Sequence, residues 1–365
     1  LAKQGKISAA HTVKSRGISE TITKMCFGNM IGFEFTGEVD AKNLFGPSCG
    51  SLVIEFPQGE NVGELLTGLD YRVIGYTRDS RKITAENLSI DLQKVLDIWQ
   101  KPLEDIFPAF ADVEGEQPQK HIFTEGVKVK ASTRIAKPRI FIPVFPGTNC
   151  EFDTARAFKN AGGVADVFVF RNLSPADIEE SIKEMKRRIE MSQIIMIPGG
   201  FSAGDEPEGS GKFIATVFRN PYVSEAVMDL LKNRDGLILG ICNGFQALIK
   251  LGLLPYGEIR EMREDSPTLT YNAIGRHVSR MVRTKVVSNL SPWLRNTKVG
   301  DIHTVAVSHG EGRFTASRKE MDDLFIKGQV ATRYVDMDGE PTYDSLYNPN
   351  GSFEAVEGIT SPDGR

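Results

Sequence analysis

The spacing of apolar and polar residues divides the chain into two parts with different predicted secondary structure. In residues 138–365, short apolar runs alternate with segments of helical period, and the runs cover residues 139–145, 164–170, 193–197 and 236–239. Each run is followed by a turn rich in glycine, proline or asparagine. Alternating buried strands and helices predict an α/β domain, in which a doubly wound, mostly parallel sheet is covered by helices.

Segments between and after these runs extend the pattern. Residues 150–161 have helical period, and residues 175–191 form a strong predicted helix that a Ser-Pro cap opens. Beyond residue 254 the chain becomes β-rich, with predicted strands over 278–287, 304–307 and 330–335. This part of the chain therefore combines a parallel sheet with hairpin-like additions.

Residues 1–111 predict a smaller α+β unit, with a strand over 50–56 and a helix over 88–99. From 112 to 137 the apolar periodicity fails, and the segment is polar and contains proline and glycine. That composition is typical of a linker between domains. We therefore expect two domains, 1–111 and 138–365, joined by a linker.

Composition and charge narrow the classes of function. The 365 residues carry a formal net charge of −4, which argues against binding to a nucleic-acid backbone. No apolar run approaches the length of about 18 residues that a membrane helix needs, so no membrane partner is expected. The four cysteines form no CxxC pair, which indicates a reducing, cytoplasmic compartment and no zinc module. Both ends of the sequence suggest a piece of a longer chain.

A pair of glycines directly follows one predicted strand. Residues 197–202 read Ile-Pro-Gly-Gly-Phe-Ser, at the carboxyl end of a strand, where open α/β sheets bind ligands. Adjacent glycines allow backbone N–H groups to point at a substrate oxygen. We expect Gly199, Gly200 and Phe201 to contribute to an oxyanion hole, and a plain tight turn is the alternative.

A cysteine flanked by glycines follows the next apolar run. Residues 240–244 read Gly-Ile-Cys-Asn-Gly and precede a helix predicted over 245–251. Such glycines permit the sharp elbow that exposes a nucleophile, and a helix N-terminus lowers the pKa of a nearby thiol. Cys242 is predicted to be an activated nucleophile, with the N–H of Asn243 as a second oxyanion donor. A small buried hydrophobic residue is the alternative for this cysteine.

Four motifs in this part of the chain resemble those of a known family. Residues 240–246, Gly-Ile-Cys-Asn-Gly-Phe-Gln, are similar to the elbow of class I glutamine amidotransferases. Residues 145–151, 198–205 and 308–313 resemble, in the same order, motifs of the glutaminase domain of phosphoribosylformylglycinamidine synthases. The resemblance implies a flavodoxin-like glutaminase domain over 138–365.

The resemblance also implies a reaction and a set of residues for it. Cys242 would attack the side-chain amide of glutamine and release ammonia, and water would hydrolyse the resulting glutamyl thioester. The family uses that ammonia in the ATP-dependent amidation of formylglycinamide ribonucleotide. Four residues of the matching motifs are expected to bind glutamine: Asn149, Gln246, His309 and Glu311. For Gln246, a helix-capping or polar core role is the alternative.

The general base is the main departure from the family pattern. A thiol hydrolase needs an imidazole to move protons and a carboxylate to orient that imidazole. The resemblance places both in a His-x-Glu motif after the segment that matches residues 348–365, so we expect that motif beyond Arg365. The sequence given would then hydrolyse glutamine poorly by itself. His309 is the alternative base, although its motif is distinct from the triad and favours the site rim or glutamine binding.

The first part of the chain carries its own resemblance. Residues 11–18 and 24–29 are similar to the end of the synthetase module of the same family, which implies the C-terminal portion of its large, single-chain form. The complete synthetase would use ATP and Mg²⁺, while no cofactor or metal is expected in this chain. The implied partners are glutamine and the remainder of the synthetase module, which holds the site that accepts ammonia.

Two other functions remain open at this point. A cysteine hydrolase or chaperone-like protein of related flavodoxin-like fold could share the elbow, although such proteins lack the glutamine at Gln246. A non-catalytic interaction domain with an inert Cys242 is the second alternative.

Overall fold

The computed structural model describes residues 1–37, 40–48, 50–86, 88–111, 113, 117–126, 135–202 and 211–365. Contacts divide the chain into two compact units, Leu1–Ala109 and Phe110–Arg365. Cys49 and residues 203–205 of the predicted glycine-loop motif lie outside the described residues. No helix in the described ranges combines the length and hydrophobicity needed to cross a bilayer.

The first unit contains two sheets and four helices among its described residues. Its four-stranded sheet has the order β4-β2-β5-β6, with β2 and β5 parallel and the other pairs antiparallel, while β1 pairs with β3. A small core of Ile22, Cys26, Phe33, Ile83 and Leu92 lies between helices and sheet. The elements are β1 (Ala9–Thr12), α1 (Gly17–Phe27), β2 (Gly32–Phe35), α2 (Ala41–Phe45), β3 (Leu52–Glu55), α3 (Val62–Leu65), β4 (Gly75–Arg78), β5 (Lys82–Ala85), β6 (Leu88–Asp91) and α4 (Leu92–Gln100).

The predicted helix over 88–99 was wrong in its first four residues, which form strand β6. Asp91 has extended backbone, and its side chain accepts a hydrogen bond from the N–H of Lys94 at 3.1 Å. That bond caps the helix, so α4 begins at Leu92. The residues before the cap instead pair with β5 in a hairpin.

The second unit contains the alternating elements that the sequence predicts, followed by a β-rich region. Short 3-10 turns at Pro292–Leu294 and Phe353–Ala355 complete it. The elements are β7 (Arg139–Val144), α5 (Glu151–Asn160), β8 (Val164–Val169), α6 (Pro175–Glu190), β9 (Ile194–Ile197), α7 (Lys212–Phe218), α8 (Pro221–Lys232), β10 (Leu237–Gly240), α9 (Asn243–Leu251), α10 (Leu253–Tyr256), β11 (Thr268–Thr270), β12 (Val278–Val286), β13 (Ile302–His309), β14 (Arg313–Thr315), α11 (Arg318–Ile326), β15 (Val330–Tyr334) and β16 (Val356–Ile359).

The four predicted strands form one parallel sheet with the order β10-β9-β7-β8. Successive side chains of a strand point to opposite faces. Phe141 and Ile195 therefore join the larger core with buried residues of α6, α8 and α9, whereas Ile140 and Met196 join a second core with Ala155 of α5. Helices thus pack on both faces, and the carboxyl ends of β9 and β10 lie side by side.

The β-rich region adds a four-stranded antiparallel sheet, β13-β12-β15-β16, and the separate pair β11-β14. Its core includes Phe314, Met321 and Phe325, and Ile249 of α9 belongs to the same cluster. Because α9 starts at the cysteine elbow, this shared cluster joins the β-rich region to the elbow helix.

The described part of the predicted linker is bound to the second unit. The N–H of Gln119 donates to the carboxylate of Glu354 at 2.7 Å, and its carbonyl accepts from the guanidinium of Arg333. His121 Nε2 donates to the carbonyl of Phe325 at 2.8 Å, and the N–H of Phe123 donates to the carbonyl of Val287 at 2.8 Å. Residues 112, 114–116 and 127–134 of that linker lie outside the described residues.

Candidate active site

Cys242 lies at the turn between β10 and α9. Its φ of 54° and ψ of −109° place a non-glycine residue in left-handed backbone. Backbone of this kind costs on the order of 1–3 kcal/mol and is found at functional sites. The sequence prediction of a strained strand-to-helix elbow is confirmed in its geometry.

The glycines on either side of the cysteine are required by close backbone approach. A Cβ at Gly240 would lie 2.5 Å from the carbonyl carbon of Gly244, and a Cβ at Gly244 would lie 2.1 Å from the carbonyl oxygen of Ile197. Real side chains do not approach backbone this closely. The two glycines therefore let the elbow rest directly on the end of β9.

The predicted oxyanion loop lies against the motif of residues 145–151. Gly200 has a φ of 144° and forms an isolated bridge with Thr148, while the N–H of Asn149 donates to the carbonyl of Gly199 at 3.4 Å. Two motifs that lie far apart in sequence thus form one wall beside the elbow.

Two backbone N–H groups point at the sulfur of Cys242. They belong to Gly200 and Asn243, and both hydrogen bonds lower the pKa of the thiol. Phe201 was predicted as a third member of the oxyanion hole, but its N–H donates to the carbonyl of Gly147 at 2.9 Å. The convergent donors are therefore one from the glycine loop and one from the helix start.

The prediction that the helix N-terminus lowers the pKa of Cys242 was wrong in its net result. Burial disfavours the charged thiolate and raises the pKa above its ordinary value, because this effect is larger than that of the two N–H groups. Burial therefore favours the neutral thiol, and attack on an amide calls for a base that takes the thiol proton.

A chain of side-chain amides connects the oxyanion loop to the loop after β13. The N–H of Ser202 donates to Oδ1 of Asn243 at 3.2 Å, and Nδ2 of Asn243 donates to Oε1 of Gln246 at 3.1 Å. Nε2 of Gln246 then donates to the carbonyl of Glu311 at 2.7 Å. Among the predicted glutamine-binding residues, Gln246 and Glu311 are thus in contact.

His309 lies at the end of β13, beside this chain of amides. Its Nδ1 is 3.1 Å from Oδ1 of Asn272, and its Nε2 is buried without a hydrogen-bond partner in the part of the chain that the structure describes. Burial lowers the pKa of the imidazole. Within the described ranges no hydrogen bond joins a histidine to Cys242, so the geometry does not support His309 as the base.

Sequence reasoning missed two residues beside the glycine loop. The ring of His277 lies 6.4 Å from that of Phe201, and its Nε2 is 2.9 Å from Oγ of Ser308. A Cβ at Gly199 would lie 3.4 Å from Sγ of Cys150 and 3.4 Å from Cβ of Cys242, so both cysteines flank this glycine. Cys150 could have been found from its place in the 145–151 motif, whereas His277 gave no signal.

A cavity of about 560 Å³ opens beside the nucleophile. Its walls include the edge of β10, Cys242, and Glu357 of β16. Glu357 accepts a hydrogen bond from Oγ1 of Thr332, and burial raises the pKa of its carboxyl. In the described ranges no group of three or more histidine, cysteine or acidic side chains is placed to hold a metal ion.

Comparison with known proteins agrees with this geometry. Residues 137–365 match the CobB/CobQ-like glutamine amidotransferase domain. The chain belongs to this glutamine amidotransferase family.

Individual relatives are named as subunits of one enzyme. The phosphoribosylformylglycinamidine synthase subunit PurQ of Treponema denticola is 34% identical over 242 residues, which cover 62% of this chain and 84% of that protein. The same subunit of Methanococcus maripaludis is 32% identical over 229 residues, covering 62% and 78%. A solved structure of PurLQS from Thermotoga maritima is 26% identical, covers 60% of this chain and 80% of that one, and aligns with a TM-score of 0.42.

Proposed function

We propose that residues 137–365 form the glutamine-hydrolysing component of a phosphoribosylformylglycinamidine synthase, which supplies ammonia in purine biosynthesis. The observation that carries the proposal is the elbow, where Cys242 has left-handed backbone, lies against Gly199 and receives the N–H groups of Gly200 and Asn243 at its sulfur. The family match and the names of the PurQ relatives support the choice of glutamine as substrate.

In the proposed reaction the sulfur of Cys242 attacks the side-chain amide carbon of glutamine. The negative charge that develops on the carbonyl oxygen is proposed to be stabilised by the backbone N–H groups of Gly200 and Asn243, which lie beside the attacking sulfur. A base takes the proton of the thiol during the attack and passes it to the amide nitrogen as the tetrahedral intermediate collapses, so that ammonia leaves and a glutamyl thioester remains. Water then attacks the thioester, which releases glutamate and restores the thiol.

The base and its orienting carboxylate are proposed to come from a His-x-Glu motif beyond Arg365. Arg365 and Cys242 line the same cavity, and β10 is an end strand of the described parallel sheet. The carbonyl of Arg365 accepts from the N–H of Ile238 at 3.2 Å, so the chain already runs alongside β10. Because the thiol pKa is raised, turnover depends on this base.

A direct measurement separates this arrangement from a base within the chain. Residues 1–365 alone are expected to hydrolyse glutamine slowly, and at saturating glutamine His309→Ala is expected to change that slow rate by less than about tenfold, below the ~100-fold or more that loss of a general base costs. Rapid hydrolysis that His309→Ala abolishes would show that the base lies in this sequence.

The larger assembly is also part of the proposal. The division into two domains, with a doubly wound, flavodoxin-like second domain, is supported by the two compact units and the helices on both faces of the parallel sheet, although the second unit begins at Phe110 and includes the described part of the predicted linker 112–137. We place the chain in the large single-chain enzyme, where the remaining synthetase module uses ATP and Mg²⁺ and accepts the ammonia. The proposed compartment is the cytoplasm.

The experiment that tests the function is protected labelling of Cys242. A chloroketone analogue of glutamine is expected to modify this residue with saturation kinetics, and free glutamine is expected to slow the reaction. Cys150→Ser is the matched control, because Cys150 flanks the same glycine loop and its removal should leave the labelling intact. Labelling that glutamine does not slow, or that falls mainly on another cysteine, would rule out a glutamine-specific nucleophile.

A further inference from the structure

The side chain of Asn243 is buried and is hydrogen-bonded at both ends. The residue is 1% exposed. Its carbonyl oxygen accepts from the N–H of Ser202, and its amide nitrogen donates to Gln246. An oxyanion hole needs only the backbone N–H of this residue, which any amino acid except proline supplies. The side chain therefore has a role of its own.

One end of the asparagine holds the glycine loop. Adjacent glycines are conformationally soft, and Gly200 lies at a φ of 144°. The loop is fixed on its outer side by the bond from the N–H of Phe201 to the carbonyl of Gly147. The bond from Ser202 to Asn243 ties the loop to the elbow itself, so this contact restrains the position of the N–H of Gly200 relative to the sulfur.

The other end sets the orientation of Gln246. A glutamine amide has a donor end and an acceptor end, and Nδ2 of Asn243 can pair only with the acceptor. Nε2 of Gln246 is then directed to the carbonyl of Glu311 at 2.7 Å. Gln246 is 5% exposed, so a wrong orientation would leave a buried donor and acceptor facing like partners.

We propose that the side chain of Asn243 is a positioning residue that sets two parts of the site at once. Through Ser202 it places the oxyanion donor Gly200, and through Gln246 it places the surface that binds glutamine. The inference rests on the proposed function, because it assigns the two ends of the side chain to the two requirements of a glutaminase, rate and affinity.

Two substitutions separate the ends. Asn243→Leu keeps the approximate shape and the backbone N–H but removes both hydrogen bonds. Asn243→Asp keeps an oxygen that accepts from Ser202 but, as a carboxylate, cannot donate to Gln246. Asn233→Leu is the control for replacing an asparagine by leucine. Asn233 is exposed, follows α8 and donates to Asp229, which is not part of the site.

The readout is labelling of the chain 1–365 by the chloroketone analogue, which yields a maximal rate constant and a half-saturating concentration. Asn243→Leu should lower the rate constant about 10- to 100-fold, somewhat less than complete loss of one oxyanion donor, and should raise the half-saturating concentration. Asn243→Asp should raise the half-saturating concentration, while its rate constant stays within about threefold of the parent when each variant is compared at the pH where its labelling is maximal, because the added carboxylate disfavours the thiolate at lower pH. Thermal unfolding of each variant establishes that it is folded.

The outcomes distinguish the inference from the proposed function. If the parent chain is labelled with protection by glutamine and Asn243→Leu gives parental kinetics, the positioning role is overturned and the function stands. If the parent chain shows no protection, the function itself fails. If Asn243→Leu does not fold, the labelling of Asn243→Asp decides. Parental kinetics, or equal losses in the maximal rate constant and in the affinity for the analogue, would contradict separate roles for the two ends of the Asn243 side chain.

Discussion

Cys242 experiences opposing influences on its charge, and their balance can be measured. The N–H groups of Asn243 and Gly200 favour the thiolate, whereas burial favours the neutral thiol and is the larger effect. Only the thiolate reacts with an electrophile. Because the pKa is raised, the thiolate fraction of Cys242 is small at neutral pH. It becomes large only when the pH exceeds the ordinary pKa of a cysteine thiol.

The expected result is a pH profile displaced to the alkaline side. Alkylation of Cys242 by iodoacetamide in the Cys150→Ser background should show a midpoint above that of free cysteine, roughly 8.5. Mass spectrometry of the labelled peptide measures the rate at each pH. A midpoint below the free value would mean that the N–H groups at the helix N-terminus affect the pKa of Cys242 more strongly than burial does.

Substitution of Gly244, the glycine that follows the elbow, tests whether close contact with β9 holds the elbow in place. Gly244→Ala places a methyl group 2.1 Å from the carbonyl oxygen of Ile197, so the elbow must lift away from β9. We expect a loss of about 1–3 kcal/mol in the free energy of unfolding and slower labelling of Cys242. Urea denaturation and chloroketone labelling measure the two effects.

Gly310→Ala is the matched control for that substitution. A Cβ at Gly310 meets no atom within 4 Å, and its backbone is not left-handed. Its effect on stability should stay within about 0.5 kcal/mol. Equal effects at Gly244 and Gly310 would show that the close approach to β9 does not determine the elbow.

For single residues, the sequence predicts the backbone conformation that a site requires better than it predicts the pKa of a side chain. The spacing of Gly240 and Gly244 around Cys242 predicts the elbow, because close backbone contact leaves a local signature in residue type. The raised pKa of the thiol could not be predicted, since the depth of burial depends on residues distant in sequence. The same holds for Phe201, whose N–H is used by Gly147.

Among the secondary-structure elements, apolar periodicity predicts the strands of the parallel sheet well, but it does not predict which strands pair with each other. The runs that became β7 and β9 are apolar because both of their faces are covered, whereas β8, at an end of the described sheet, leaves Val167 and Val169 exposed. The start of α4 was mispredicted because apolar residues of β6 continue into the helical pattern, and only the cap at Asp91 separates them. The order of strands in the β-rich region had no local signal.

A buried ion pair fixes the junction between β15 and the turn before β16. Arg333 and Glu354 are 1% and 3% exposed, and both also bond to the backbone of Gln119. Burial lowers the pKa of Arg333 to about 10, but the guanidinium remains charged at neutral pH. Removing the carboxylate therefore leaves a charge in the core.

Glu354→Gln is expected to lower the free energy of unfolding by about 3 kcal/mol, because the remaining guanidinium is buried without its counter-ion. Chemical denaturation measures the loss, and hydrogen exchange should show faster exchange at residues 117–126. Glu179→Gln, which breaks an exposed pair with Lys183 on α6, serves as control and should leave the denaturation midpoint almost unchanged. Similar losses in both variants would contradict a special contribution from the buried pair.

For the whole molecule, the two units have separate cores. The cluster around Phe33 and Leu92 lies within residues 1–109, while the other clusters lie within residues 110–365. The polar composition of 112–137 predicted a linker, but its described residues bind through backbone groups and single side chains. Attachment of this kind leaves no periodic pattern, so the sequence could not reveal it.

Two truncations test whether that segment belongs to the second unit. Residues 110–365 retain the contacts of Gln119, His121 and Phe123, whereas residues 137–365, the extent of the family match, lose them. We expect the longer piece to unfold cooperatively and at the higher temperature, as measured by circular dichroism. Equal melting temperatures would show that the segment adds nothing to stability.

At Cys242, the left-handed backbone favours one residue for stability and another for chemistry. Glycine adopts such a conformation without the strain that a side chain brings, so replacing the cysteine would relax the turn. A library screened for melting temperature alone would tend to enrich glycine there and discard the thiol. Engineering of this chain for robustness therefore has to hold the elbow fixed and gain its stability elsewhere.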